Sequence, residues 1–188
     1  MRRLTLFLLF LSLWIPPSLQ ATEFRPDEEK ARQLDVFLKK IAKDTRQRVF
    51  LRHKRFDQST VNSYLALIYL PRYAREVKNI KLEFHKENWV SGQVSIRLTG
   101  EKYQKLPGFL KEMDLEINGI IESRPQQMRF QIKELKLNRT SFSPEILDEA
   151  FATFQGGKKV KRSIFDWFTL LPGIKRISSD EGSLTLFY

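Results

Sequence analysis

Residues 77–100 read VKNIKLEFHKENWVSGQVSIRLTG, and the alternation of apolar and polar side chains in this stretch decides the fold. Apolar residues take every second position up to Phe84, and the alternation resumes at Val90 after a short polar segment. A period of two places the apolar side chains of a strand on one face. The stretch therefore predicts an antiparallel hairpin with one apolar face, which needs a cover of helices or of a bound apolar ligand.

Two more long strands are predicted after this hairpin. The third strand runs from about residue 110 to 122, with apolar residues at every second position. In the fourth strand, residues 128–132 and 135–137 alternate in opposite phases. A change of phase of this kind predicts a β-bulge near Lys133 or Glu134, and bulges bend strands.

Three amphipathic helices are predicted around the strands. The first covers about residues 26–48, with acids in its first turn and one apolar stripe. The second opens at a cap formed by Asp57 or Ser59 and ends at Pro71. The third opens at Ser143-Pro144, since serine caps helices and proline is favoured in the first turn.

The complete pattern predicts an α+β fold. A short edge strand over residues 49–53 precedes the second helix, and a hairpin over residues 174–188 closes the chain. Gly92 and Gly119 at inward strand positions add to the bend expected at the bulge. We predict a strongly curved antiparallel sheet of four long strands plus a terminal hairpin, packed against two or three amphipathic helices.

Residues 1–21 have the layout of a secretory signal peptide. Two arginines precede an apolar run over residues 4–15, and prolines and polar residues follow. The run is shorter than the roughly 20 residues of a spanning helix. We expect export to a bacterial periplasm, with an uncleaved N-terminal membrane anchor as the alternative. The remaining chain divides into an N-terminal amphipathic helix, 22–47, and a single curved-sheet domain, 48–188.

The chain is strongly basic and contains no cysteine. Its formal net charge is +11, from 33 Lys and Arg against 22 Asp and Glu. An exported protein seldom meets nucleic acid, so we expect no nucleic-acid partner. Anionic lipid headgroups or acidic glycans are the expected counterpart of the positive field, and general solubility is the alternative explanation.

The sequence contains little that suits catalysis. There are two histidines, His53 and His85, and neither has a neighbour at metal-ligand spacing. Thiol chemistry is excluded by the lack of cysteine, and no glycine-rich phosphate loop is present. We therefore predict a protein that is not an enzyme and has no metal or cofactor.

Residues 158–171 combine clustered cations with large apolar side chains. This combination is typical of an interfacial anchor, in which cations meet headgroups and aromatic rings enter the acyl boundary. In the alternative interpretation the aromatic residues form a helical stripe that belongs to the core. The candidate membrane-contact residues are Lys158, Lys159, Lys161, Arg162, Phe165, Trp167 and Phe168.

The order of elements resembles that of small exported bacterial members of the tubular lipid-binding superfamily, which includes the SMP domain and the bactericidal permeability-increasing protein. The matching features are four curved strands and three short segments: Asn62-Ser63-Tyr64-Leu65, Leu171-Pro172-Gly173-Ile174 and Gly182-Ser183-Leu184-Thr185-Leu186. The resemblance covers most of residues 48–188. It implies a curved sheet around a helix, with an apolar groove that holds acyl chains.

Two hypotheses about function follow. The first is a periplasmic, non-catalytic lipid-binding protein used in lipid transfer or envelope maintenance. The second is a cell-envelope interaction or scaffold protein with a filled core and a basic docking surface. For the first hypothesis, the inward strand positions supply the candidate groove residues Leu82, Phe84, Val94, Ile96, Leu115, Ile117, Phe130 and Ile132.

Overall fold

The computed structural model describes residues 25–44, 51–73, 76–99, 104, 111–146, 148, 163 and 165–188. Its helical elements include α1 (Glu28–Lys43), α2 (Gln58–Tyr64), a π-helical segment (Leu65–Tyr69), α3 (Leu70–Tyr73) and a 3-10 helix (Lys86–Asn88). Its strands are β1 (His53–Asp57), β2 (Val77–Phe84), β3 (Trp89–Arg97), β4 (Glu112–Arg124), β5 (Gln127–Leu137), β6 (Thr140–Phe142), β7 (Phe168–Thr169), β8 (Arg176–Asp180) and β9 (Ser183–Phe187).

The strands form two open sheets. The larger sheet has the order β2-β3-β4-β5-β6, and β7 also pairs with β5. The smaller sheet has the order β1-β9-β8. All described strand pairs are antiparallel. The prediction of an α+β fold with an antiparallel sheet is confirmed, and the predicted closing hairpin is present as β8 and β9.

The predicted central hairpin is formed by β2 and β3, with Phe84 opposite Val90. Its turn places Glu87 and Asn88 at positive φ, 58° and 61°. The side-chain oxygen of Asn88 accepts a hydrogen bond of 2.8 Å from the backbone N–H of Ser179. The turn of the larger sheet is thereby attached to β8 of the smaller sheet.

The predicted bulge lies in β5. Asn118 of β4 is opposite Glu134. The next residue, Gly119, is opposite Ile132, so Lys133 is the extra residue of the bulge. This extra residue keeps the apolar side chains of both halves of β5 on the same face of the sheet. The prediction of a bulge near Lys133 or Glu134 is confirmed.

Residues 49–50 of the predicted edge strand lie outside the described residues, and residues 51–52 are not in a strand, so the described strand begins later than predicted. The observed strand β1 covers His53–Asp57 and pairs with β9. Phe56 is the only buried residue in β1. A strand with one buried side chain carries almost no period-two signal, and this explains the error.

The second predicted helix does not end at Pro71. The helical backbone continues through the π-helical segment and α3 to Tyr73. The N–H of Leu70 donates to the carbonyl of Leu65, one residue further back than in an α-helix. Proline lacks the N–H that continues a regular helix. The wide turn directly precedes the proline, where the regular hydrogen-bond ladder is interrupted.

Asp57, not Ser59, is the N-cap of α2. Its Oδ1 accepts hydrogen bonds from the backbone N–H of Thr60 at 2.6 Å and from the hydroxyl of Ser59 at 2.8 Å. Partial burial by itself would raise the pKa of Asp57. Hydrogen bonds from Thr60 and Ser59 and the charge of Lys30 outweigh this effect and lower the pKa from 3.8 to about 2.

Asp57→Ala is expected to reduce the free energy of unfolding at pH 7 by about 1 kcal/mol, because the helix loses its cap. The side chain is 56% exposed, so solvent screening keeps the charge contribution small. A lowered pKa gives stability above pH 3.8 that is lost as the pH falls toward about 2. Urea unfolding should therefore show the difference from wild type shrinking over this range. Asp57→Asn keeps a capping oxygen, and we expect it to cost less; an equal cost at pH 7 and pH 2 for Asp57→Ala would contradict the assignment.

The main core joins α1, α2, the smaller sheet and one end of the larger sheet. Phe37 of α1 contacts Phe56 and Tyr188 edge-on, with ring centroids 5.1 and 5.2 Å apart. Ser63 is fully buried, and its hydroxyl accepts a hydrogen bond of 3.0 Å from the N–H of Asp27. The cluster of buried residues is Leu34, Phe37, Ile41, Phe56, Val61, Phe84, Val90, Ile121, Leu170, Ile174 and Leu186.

The third predicted helix is described only at its start. Residues 144–146 and 148 are helical and follow Ser143. The remainder of this predicted helix, the predicted signal peptide over 1–21 and the cations over 158–162 lie outside the described residues.

Candidate functional site

The eight predicted groove residues lie on one face of the larger sheet. Directly opposed residues in neighbouring strands share a face, so the register locates each of them. Leu82 is opposite Gly92, which is opposite Ile117. Ile121 is opposite Phe130 at the β4–β5 pair. The face carries the following predicted residues: Leu82, Phe84, Val94, Ile96, Leu115, Ile117, Phe130 and Ile132.

The main core covers one end of this apolar face. Phe84 is 3% exposed and belongs to the core cluster, and Leu82 and Phe130 pack against its margin. Among the described residues, the other five lie outside this cluster, and each remains partly exposed. These residues are Val94, Ile96, Leu115, Ile117 and Ile132.

The opposite face of the larger sheet carries paired charges. Arg97 and Glu112 form an ion pair of 2.7 Å between β3 and β4. Arg129 of β5 pairs with Glu122 of β4 at 2.6 Å. Opposite charges on neighbouring strands stabilise a solvated sheet face modestly. The sheet therefore has one charged face that suits water and one apolar face that suits either a core or an apolar ligand.

A depression of about 280 Å³ opens beside β5. In this part of β5, β7 pairs with residues 127–128 and β6 pairs with residues 135–137. The depression lies between these two pairings and includes two predicted groove residues and one predicted membrane-contact residue. Its lining residues are Arg129, Phe130, Gln131, Ile132, Glu145 and Phe165.

The aromatic residues of the segment 163–171 do not form a helical stripe. Phe168 lies in strand β7 and is 36% exposed. Trp167 lies beside two arginines, with guanidinium carbons of Arg124 and Arg129 at 4.1 and 4.9 Å from its ring centroid. Such cation–π contacts hold the ring against the charged face of the sheet. The helical spacing assumed for the core interpretation is therefore wrong for the described residues.

The core residues of this region were missed by the sequence analysis. Leu170 is 9% exposed and Ile174 is 4% exposed, and both belong to the main core. Between them, Gly173 has a φ of +87° and lies so close to Ile41 that a side chain would collide with it. This close approach joins residues that are far apart in the chain, so no local sequence pattern predicts it.

The histidines and acids of the described residues form no cluster suited to a metal ion. Within these ranges, no group of three or more His, Asp or Glu side chains is placed to hold a metal ion. Nε2 of His85 contacts the hydroxyl of Ser91 at 3.1 Å, and the ring of His53 lies 5.9 Å from that of Phe187. No helix in the described part of the chain has the length and apolar character needed for a membrane crossing.

No family model, curated protein or solved structure matches the chain. The geometry defines an α+β protein with an open antiparallel sheet, one face apolar and the other charged.

Proposed function

We propose that this protein is an exported, periplasmic, non-catalytic lipid-binding protein that acts in lipid transfer or envelope maintenance. The observation that supports the proposal most directly is the apolar face of the larger sheet. Five of its predicted groove residues remain partly exposed and lie outside the main core among the described residues. The resemblance to the tubular lipid-binding superfamily is part of this proposal.

Acyl chains would lie along the apolar face of the larger sheet and extend out of the groove at the depression beside β5. The depression there, about 280 Å³, is close to the lower end of the roughly 300–1,000 Å³ range of small-ligand pockets. Phe130, Ile132 and Phe165 supply apolar contact, and the rim carries Arg129, whose charge is paired with Glu122. In this proposal the sheet is strongly curved around the ligand, and the cations over 158–162 meet a lipid phosphate or an anionic membrane surface.

The bulge at Lys133 supports the proposed curvature. A bulge bends its strand and increases the local twist. Gly119 lies opposite the bulged part of β5 and closely approaches the backbone of Gln131. Both features act at the centre of the β4–β5 pair, next to the proposed groove.

Leu115→Gln tests the groove. Wild-type protein purified under native conditions should carry a stoichiometric lipid, detected by mass spectrometry of an organic extract. We expect the variant to retain about tenfold less lipid, since a polar group in an apolar groove must lose its hydration when the ligand binds. The free energy of unfolding should change by only about 1 kcal/mol, because Leu115 is partly exposed.

Glu116→Gln is the matched control for Leu115→Gln. Glu116 is the next residue along β4, but it lies on the charged face, where its Oε2 is 3.6 Å from Nζ of Lys136. The lipid content of the Glu116→Gln variant should equal that of the wild type. A wild-type protein without any stoichiometric lipid would contradict the proposed function.

The second candidate is an envelope interaction or scaffold protein with a filled core. One observation favours it: Leu135 is 4% exposed although it lies outside the main core cluster. Leu135 lies on the apolar face, opposite Ile117 and Phe142, and its burial shows that part of this face is covered. For a filled core, Leu115→Gln should lower the free energy of unfolding by more than about 2 kcal/mol, and wild type should carry no lipid.

A further inference from the structure

The outer face of the smaller sheet is strongly basic at one end. Its inner face contributes Phe56 and Leu186 to the main core. On the outer face, Phe187 of β9 is flanked by His53 of β1 and Arg176 of β8. The cations at this end of the sheet, called the basic end below, are Arg52, Arg55, Lys175 and Arg176. Lys54 is not one of them, because it lies opposite Leu186 and its Nζ is over the rings of Phe37 and Phe56 on the inner face.

The cations of the basic end differ from those of the larger sheet in how they are paired. None of these four cations forms an ion pair with any described residue. On the charged face of the larger sheet, by contrast, Lys81, Arg97, Arg129 and Lys136 each have a carboxylate partner. The charged face of the larger sheet is therefore largely self-compensated, whereas the basic end keeps its positive field.

The basic end also has apolar groups among its cations. The guanidinium carbon of Arg176 lies 4.5 Å from the ring centroid of Phe187. Leu51 directly precedes Arg52 and is 56% exposed. Arg52 is joined to the last residue of the chain by two backbone hydrogen bonds with Tyr188, 2.9 and 2.8 Å, so it is held beside the sheet. Cations around exposed apolar side chains are typical of surfaces that contact a bilayer interface.

We infer that the basic end docks onto an anionic lipid bilayer. A spread of unpaired cations along the end of a sheet matches a broad negative surface, because each cation can meet a different headgroup. This inference deepens the proposed function: it assigns the membrane-facing surface of a lipid-binding protein to β1, β8 and β9. The segment 158–162 named in the sequence analysis is not needed for it.

The test compares two double variants with the same loss of charge. Arg55→Gln/Arg176→Gln removes two cations from the basic end. Arg97→Gln/Lys136→Gln removes two cations from the charged face of the larger sheet. The full chain of each is mixed with phosphatidylcholine vesicles that contain or lack phosphatidylglycerol, and binding is measured by co-sedimentation. The neutral vesicles measure any binding by apolar segments that all variants share.

Arg55→Gln/Arg176→Gln should weaken binding to the anionic vesicles by about 30-fold, since each cation near such a surface contributes about 1 kcal/mol. Arg97→Gln/Lys136→Gln should weaken it less than threefold. Wild-type binding should also fall as salt is added. An equal loss in both double variants, or unchanged binding in the first, would overturn the inference.

Two further measurements keep the test decisive. Arg55 Nε donates to the hydroxyl of Ser183 at 2.7 Å, so thermal unfolding of each variant is compared with wild type. If Arg55→Gln/Arg176→Gln is unfolded, Arg52→Gln/Lys175→Gln replaces it with the same expected loss. The amount of lipid extracted from the folded Arg55→Gln/Arg176→Gln variant should equal the amount extracted from wild type. Absence of lipid in wild type, together with the expected vesicle result, would reject the proposed function and leave the docking surface in place.

Discussion

Asn62→Ala is expected to lower the free energy of unfolding by about 3 kcal/mol, because it removes two hydrogen bonds from a buried side chain. Asn62 is 1% exposed. Its Nδ2 donates to the carbonyl oxygen of Leu82, and its Oδ1 accepts from the N–H of Leu82, both at 2.8 Å. The amide thus pairs with the free edge of β2 as a neighbouring strand would.

The loss should be measured by urea unfolding against Asn79→Ala. Asn79 is an exposed asparagine of β2, and its removal should cost less than about 0.5 kcal/mol. Asn62→Asp preserves the shape of the side chain but places a second oxygen against the carbonyl of Leu82. We expect it to be destabilising by at least 2 kcal/mol at neutral pH. Equal stabilities of Asn62→Ala and Asn79→Ala would show that the edge does not need the amide.

The same edge has a second side-chain partner. The N–H of Phe84 donates to Oε1 of Gln58 at 3.0 Å, so α2 satisfies two positions of β2. An exposed strand edge is a site of intermolecular pairing and aggregation. Asn62→Ala should therefore also increase aggregation on partial unfolding, which light scattering during a thermal scan would detect.

Gly119→Ala is expected to cost about 3 kcal/mol of stability. A methyl group on Gly119 would collide with the carbonyl oxygen of Gln131 and lie 3.0 Å from Cζ of Phe130. The obstacle is mainly the backbone of the paired strand, so β4 and β5 would have to separate beside the bulge. The measurement is equilibrium unfolding in urea, with hydrogen exchange of the β4–β5 amides to locate the damage.

Gly92→Ala is the control for Gly119→Ala. Gly92 lies on the same face in β3, but its nearest obstacle is a flexible methyl group of Leu82 at 3.3 Å from the added carbon. A rotation of that side chain relieves the contact, so the cost should be below about 1 kcal/mol. Similar costs for both substitutions would contradict the close approach at the bulge.

The strands of the larger sheet could be predicted because their signal is local. In β2 and β3 the residue type alternates along the chain, and burial of one face requires this alternation. The bulge was also predictable, since an extra residue must reverse the phase of the pattern, as it does at Lys133. The same reasoning predicted that the candidate groove residues share one face, as they do.

The errors arose where the signal depends on distant contacts. β1 has a single buried residue, Phe56, and its pairing with β9 joins residues more than a hundred positions apart in the chain. The contacts of Trp167 with Arg124 and Arg129 were also not predicted. Neither interaction produces a periodic pattern in the sequence.

By itself, the sequence determined which residues form the long strands of the larger sheet, which of their side chains share a face, and where the pattern is interrupted. Periodicity encodes these properties because backbone geometry imposes them on every strand. Only the tertiary structure decided which part of the apolar face enters the core, that Asn62 protects the edge of β2, and that four cations with no ion-pair partner among the described residues gather at one end of the smaller sheet. These properties depend on side chains brought together by the packing of separate elements, and local sequence patterns do not encode that packing.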